Sequence, residues 1–106
     1  MDPALYMLET FAPHLHTRFE VEVEPGTSLP LELIEAERGP AHPRALMFWL
    51  MFRGPAAPLL PQGTYRLRHS VLGEMDLFLV PVAGDPQGVS YQAVFNRMIK
   101  DAPARP

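Results

Sequence analysis

The chain has 106 residues, of which 47% are apolar and 20% charged, and its net charge is −3. This size and composition predict one small globular domain over residues 1–106 and exclude a disordered chain. The absence of cysteine excludes disulfides and thiolate metal sites, and the acidic balance argues against nucleic acid or an anionic membrane as a partner.

The N-terminal residues carry no secretory signal, and no stretch of the sequence is long and apolar enough for a membrane-spanning helix. We therefore expect a cytoplasmic protein. We also predict no cofactor, because no phosphate-binding or dinucleotide-binding motif occurs in the sequence.

One short helix and six strands are predicted in chain order. Asp2 as N-cap and Pro3 at the first helical position begin a helix over about residues 3–11, whose apolar stripe should dock on a sheet. Alternating apolar residues, separated by turn residues and prolines, predict the strands. These lie at about 18–24, 29–37, 45–53, 63–69, 75–83 and 89–97, and a frayed tail follows at 101–106.

The strand at 45–53 is apolar on both sides. A helix buried all round is the alternative, but Pro43, Gly54-Pro55 and the aromatic content favour a strand. Alternation places its side chains in two sets: Leu46, Phe48, Leu50 and Phe52 on one side, and Met47, Trp49 and Met51 on the other. A strand of this kind must be covered on both faces.

Two irregularities are expected in the strands. The apolar alternation changes register at Leu33-Ile34, which predicts either a β-bulge or the end of pairing there. Pro81 cannot donate a hydrogen bond to a neighbouring strand, so it belongs at a bulge or an edge.

The predicted fold class is mainly β. We expect an antiparallel, barrel-like or two-layer domain of about six strands, with consecutive strands paired and the short helix across one face or end.

Four ordered blocks support a family resemblance: FRGP at 52–55, LLPQGTYRLRH at 59–69, LFLVPV at 77–82 and YQAVFNR at 91–97. With them the chain resembles a bacterial family of similarly short proteins that form a domain of unknown function. The resemblance implies no catalytic or binding residues. It does imply an association with phage-tail-like or fibre proteins.

Candidate chemical sites are few. His14 and His16 would point to the same side of an extended segment, as metal ligands do, but no third ligand has suitable spacing and we predict no metal site. Asp76, with Glu74 and Asp85, could be read as acid–base carboxylates. Cross-strand pairing of Asp76 with Arg66 or Arg68 is the simpler interpretation, and we predict that the protein is not an enzyme.

A second possible site is a surface of the strands that binds single-stranded nucleic acid. Arginines interleaved with tyrosines along small-barrel strands can bind single strands, and the residues concerned are Arg53, Arg66, Arg68 and Arg97 with Tyr65 and Tyr91. The acidic pI and the neighbouring glutamates Glu22, Glu24 and Glu32 argue against it.

The second apolar side of the strands is the main functional signal. Its interface candidates are Met47, Trp49, Met51, Phe78 and Val80, with Val94 beside them. Either loops and the helix cover this face, or it contacts another protein or a second copy in a homodimer. We therefore predict a non-enzymatic protein-interaction or assembly module. The alternative is a small-ligand-binding barrel lined by Phe48, Phe52, Tyr65 and Phe95.

Overall fold

The computed structural model describes residues 7–40 and 45–98. A one-turn helix α1 (Leu8–Phe11) continues into a 3-10 turn (Ala12–His14) and is followed by six strands. The strands are β1 (Arg18–Glu24), β2 (Thr27–Arg38), β3 (Ala45–Gly54), β4 (Gly63–His69), β5 (Gly73–Asp85) and β6 (Gly88–Met98). Met7 is extended and precedes the first helical residue, so the predicted helix over 3–11 does not run through residue 7. Residues 3–6 of that prediction and the predicted frayed tail at 101–106 lie outside the described residues.

The six strands form a closed antiparallel barrel in the order β1-β2-β3-β6-β5-β4. The predicted mainly β fold is confirmed, and so is consecutive pairing within each half of the chain. The expectation fails between β3 and β4, because β4 pairs with β1 and β3 pairs with β6. Residues 55–62 contain three prolines and form no tight hairpin, so β4 does not return beside β3.

The two longest strands, β2 and β5, bend. The first part of β5 pairs with β4 up to Leu79, and the last part pairs with β6 from Val80 onwards. β2 likewise pairs first with β1 and then with β3, the change coming at Glu32. Each of these strands therefore pairs with one neighbour along its first part and with the other neighbour along its second part.

A register shift lies close to each bend. It falls between Leu33 and Glu35 in β2 and between Pro81 and Ala83 in β5. Of the two alternatives considered for Leu33-Ile34, a bulge or the end of pairing, the structure has the bulge, and of the two considered for Pro81, a bulge or an edge, it also has the bulge. An extra residue bends and twists a strand, so these positions allow six strands to close into a barrel.

Aromatic and aliphatic side chains fill the interior. Phe48 and Phe95 stack with ring centroids 4.5 Å apart, and Phe11 of α1 packs on them at 6.3 and 5.8 Å. Phe11 is fully buried, so the helix closes one end of the barrel. Phe19 packs edge to face against Phe52, with ring centroids 5.2 Å apart.

The loop at 55–62 is held against the barrel by Leu60. The Leu60 side chain is buried, and its backbone N–H donates a hydrogen bond of 3.0 Å to the hydroxyl of the buried Tyr91. Leu59, the residue before it, is 60% exposed, so only one of the two adjacent leucines enters the core.

Two glycines in this region allow close backbone packing. A Cβ on Gly54 would lie 2.6 Å from Leu31 Cδ2, and a Cβ on Gly88 would lie 2.6 Å from the Gly54 carbonyl oxygen. The glycine of the FRGP block therefore has a packing role where β2, β3 and β6 converge.

Candidate interaction surface

The outer face of β1, β4 and the first part of β5 is charged. Arg66 Nε lies 3.1 Å from Asp76 Oδ1, and Arg68 Nε lies 3.2 Å from Glu74 Oε2. The expected cross-strand partner of Asp76 is thus Arg66. All four side chains are about half exposed, and the arrangement is an ordinary surface ion-pair network.

The third carboxylate considered from the sequence, Asp85, lies in a different cluster. Arg53 Nη2 donates to both of its oxygens at 2.8 Å, and Arg53 Nη1 donates to Ser90 Oγ at 3.2 Å. Asp85 also accepts from the backbone N–H of Gln87. The Arg53 guanidinium and this N–H hold the pKa of Asp85 below its usual value. Asp85 fastens the β5–β6 turn to β3 and stays ionised at neutral pH.

The histidines of the HLH segment do not converge. The His14 ring lies edge-on to His69, with centroids 4.8 Å apart, whereas His16 Nδ1 lies 3.2 Å from Glu32 Oε2. Across residues 7–40 and 45–98, no group of three His, Asp or Glu side chains is placed to hold a metal ion.

His69 is a buried polar residue that the sequence pattern did not single out. Its Nδ1 accepts hydrogen bonds from the backbone N–H groups of Val71 and Leu72 at 3.0 and 3.2 Å. Nδ1 therefore carries no proton, and Nε2 donates to Thr17 Oγ1 at 2.9 Å. Thr17 in turn donates to the His14 carbonyl oxygen at 2.6 Å.

This network requires a neutral imidazole. Burial, and secondarily the neighbouring His14, lower the pKa of His69, in agreement with the two donors that face Nδ1. The side chain joins the β4–β5 turn to the segment that precedes β1, so its role is structural. One sequence signal could have indicated that His69 is buried. The residue lies at the end of the alternating strand β4, on the same side as Leu67.

The second apolar side of β3 lies on the outer face of the β2–β3–β6–β5 sheet. Strand pairing forms rows across this sheet, and paired residues share a face. One row is Glu37, Trp49 and Val94, and the next is Glu35, Met51, Gln92 and Val80. We call Met47, Trp49, Met51, Val80 and Val94 the apolar face.

The apolar face is only partly covered. Val94 is 47% exposed, and the other four side chains are half-buried. Four of the five predicted interface residues lie together here. The fifth, Phe78, is 52% exposed and lies two residues before Val80 on the same side of β5. It pairs with Thr64 of β4, so it lies between the apolar face and the charged face.

Glu35 and Glu37, which border the apolar face, were not identified from the sequence. Their position beside Met51 and Trp49 depends on the bulge that shifts β2 by one residue. A register switch in the sequence indicates such a bulge, but the partner strand has to be known before the neighbours can be assigned.

The residues considered from the sequence as a nucleic-acid surface have other contacts in the structure. Arg53, Arg66 and Arg68 are ion-paired, and Tyr91 is buried. The hydroxyl of Tyr65 donates to the Pro61 carbonyl oxygen, and the Arg97 side chain lies outside the described part of the structure.

The four aromatic residues of the ligand-barrel alternative pack in or at the rim of the core. Phe48 stacks on Phe95, and Phe52 packs on Phe19. Tyr65 is half-buried, and desolvation raises the pKa of its hydroxyl. An eight-stranded barrel is just wide enough to be filled by its own side chains, and this barrel has six.

No helix within the described residues is long and apolar enough to cross a membrane. Comparisons with curated proteins and with solved structures find no match. A family model for a domain of unknown function matches residues 6–95, which is most of the chain. The chain therefore belongs to the family described as Domain of unknown function (DUF6916).

Proposed function

We propose that this domain is a non-enzymatic protein-interaction module that binds a partner protein through the apolar face. The observation that supports it is the partly exposed set of Trp49, Met51 and Val94 on the outside of a barrel whose interior is already filled. Core formation does not need these side chains on the outer surface, and neighbouring exposed apolar groups on a small protein are typical of binding sites.

The residue types support the same proposal. Tryptophan and methionine are enriched at protein interfaces, and tryptophan frequently contributes a large share of the binding energy. Trp49 lies in the middle of its row, between Glu37 and Val94. A partner that covers this row would remove the exposed part of the indole and of Val94 from water.

The geometry of the polar residues supports the non-enzymatic part of the proposal. Asp76, Glu74 and Asp85 pair with arginines, and His69 is held neutral by backbone donors. A general acid or base needs a free group within reach of a substrate, and these groups are used in holding strands and turns together.

The resemblance to proteins that accompany phage-tail-like or fibre proteins makes a component of such an assembly the first partner to test. This setting is part of the proposal and derives from the resemblance alone. A homodimer is the competing occupant of the face, and the measurement of molar mass below separates the two.

The test compares two surface valines. Val94→Glu places a charge in the apolar face, whereas Val71→Glu places the same charge in the β4–β5 turn, where Val71 is 71% exposed. Immobilised wild type and both variants are used to capture proteins from the native host, and the molar mass of each is measured in solution.

We expect a protein that is retained by the wild type and by Val71→Glu and lost with Val94→Glu, while all three proteins remain folded by circular dichroism. If the captured proteins are the same for both variants, the apolar face is not the binding surface and the proposal is wrong.

A further inference from the structure

We infer that the apolar face receives a segment of another protein in which lysine or arginine lies beside the apolar residues, and not a second copy of this chain. This inference depends on the proposed function and specifies the chemistry of the partner. It is carried by the distribution of paired and unpaired charges over the barrel.

The border of the apolar face on the β2 side is acidic. Glu35 pairs in register with Met51 and Glu37 with Trp49, and both glutamates are exposed. Neither has an ion-pair partner among the described residues. Gln92, which lies between Met51 and Val80 in the same row, is neutral.

The five arginines whose side chains the structure describes are, by contrast, all ion-paired. The pairs are Arg18–Glu20, Arg38–Glu9, Arg53–Asp85, Arg66–Asp76 and Arg68–Glu74. Among these five side chains, a second copy would therefore offer Glu35 and Glu37 no free cation. A basic partner segment would supply one.

The dimensions suit a single segment. Neighbouring strands lie about 4.8 Å apart, so the four strands of this sheet give a strip about 14 Å across. A helix with its side chains is about 10–12 Å in diameter. The strip is therefore wide enough for one amphipathic helix or extended segment.

The experiment uses the full chain and two synthetic amphipathic helices as probes. Both carry the same leucine stripe without aromatic residues, flanked by lysine in one and by glutamate in the other. Trp49 is the only tryptophan in the chain, so its fluorescence reports directly on the proposed site. We expect the lysine helix to give a saturable blue shift of the emission, and the glutamate helix to give none.

The glutamates are tested by matched charge changes. Glu35→Gln with Glu37→Gln should weaken binding of the lysine helix roughly 2- to 30-fold at low salt, the range of two surface ion pairs. Glu22→Gln with Glu24→Gln alters the net charge equally but lies on β1, in the charged sheet. This control should leave the affinity unchanged.

The results that would contradict this inference differ from those that would contradict the proposed function. Equal binding of both helices, binding of neither, or no effect of the Glu35 and Glu37 changes would overturn the basic-segment inference, while the host-protein comparison above decides the proposed function independently. Concentration-dependent dimerisation that Val94→Glu abolishes would identify a second copy as the occupant and would also overturn the inference.

Discussion

Replacement of Tyr91 by phenylalanine tests how the proline-rich loop is attached to the barrel. The tyrosine is 1% exposed, and its hydroxyl accepts the hydrogen bond from the Leu60 backbone N–H. Tyr91→Phe preserves the ring and its packing and removes only the hydroxyl. The buried Leu60 N–H is then left without this acceptor.

The expected loss can be worked out from these contacts. A buried polar group left without a partner costs about 1–3 kcal/mol. If the loop instead opens to hydrate the N–H, the loss is bounded by the burial of the Leu60 side chain, about 1.5–3 kcal/mol. Either response gives a decrease of about 1–3 kcal/mol in the free energy of unfolding.

The assay is urea unfolding at neutral pH, together with hydrogen exchange of the Leu60 amide. In thermal unfolding, each 1 kcal/mol lost from the free energy of unfolding should lower the melting temperature by about 4–8 °C in a domain of this size. Tyr65→Phe is the matched control, because its hydroxyl bonds to an exposed carbonyl oxygen, and we expect less than about 0.5 kcal/mol from it. Equal losses from both variants, or unchanged exchange at Leu60, would refute the reasoning.

Three further predictions concern pH, the barrel end and backbone packing. The folded state holds His69 with a lowered pKa, while an unfolded histidine titrates near 6.5. The stabilisation from the neutral ring is thus complete above about pH 6.5 and is lost as pH falls from there through the folded-state pKa. Urea midpoints at several pH values and an NMR titration check this, and a His69 pKa above the unfolded value would contradict it. Phe11→Ala should cost about 3–5 kcal/mol in thermal or urea unfolding because the ring is fully buried, whereas the same change at the partly exposed Leu15 should cost far less; similar losses would mean that α1 does not close the barrel. Gly54→Ala should cost about 1–3 kcal/mol through its 2.6 Å approach to Leu31, whereas Gly63→Ala, whose nearest neighbour is at 3.9 Å, should be close to neutral.

Local patterns in the sequence predicted most of the secondary structure. The strict alternation of residues 18–24 corresponds to β1, and the two positions at which an irregularity was predicted both carry a register shift. The reason is that side-chain direction alternates along any strand, so the apolar set shows which side is buried and where the register changes. The same rule correctly separated Phe48, Leu50 and Phe52 from Met47, Trp49 and Met51 on β3.

Strand order was predicted less well. Nothing local indicates that β3 forms its long ladder with β6, or that β4 crosses to β1. Pairing between distant strands depends on how the whole sheet twists and closes. A sequence of alternating residues is compatible with several orders.

The candidate site shows the same division. The sequence pattern assigned five residues to the second apolar side of the strands, and four of them share one surface. The fifth, Phe78, lies two residues before Val80 on the same side of β5 but pairs with Thr64 of β4, which no local pattern indicates. The hydrogen bonds of His69 come from Thr17, far away in the chain, as well as from its own turn.

Alternation, proline placement and composition were thus sufficient to establish a mainly β domain with two apolar sides on its central strand, because each depends only on residues close together in the chain. Only the tertiary structure decided which strands are neighbours and that the Phe48 side fills the barrel while the Trp49 side faces outward. It also decided that the outward side is bordered by two glutamates with no ion-pair partner among the described side chains. These features depend on barrel closure, which brings residues from distant strands into the same row.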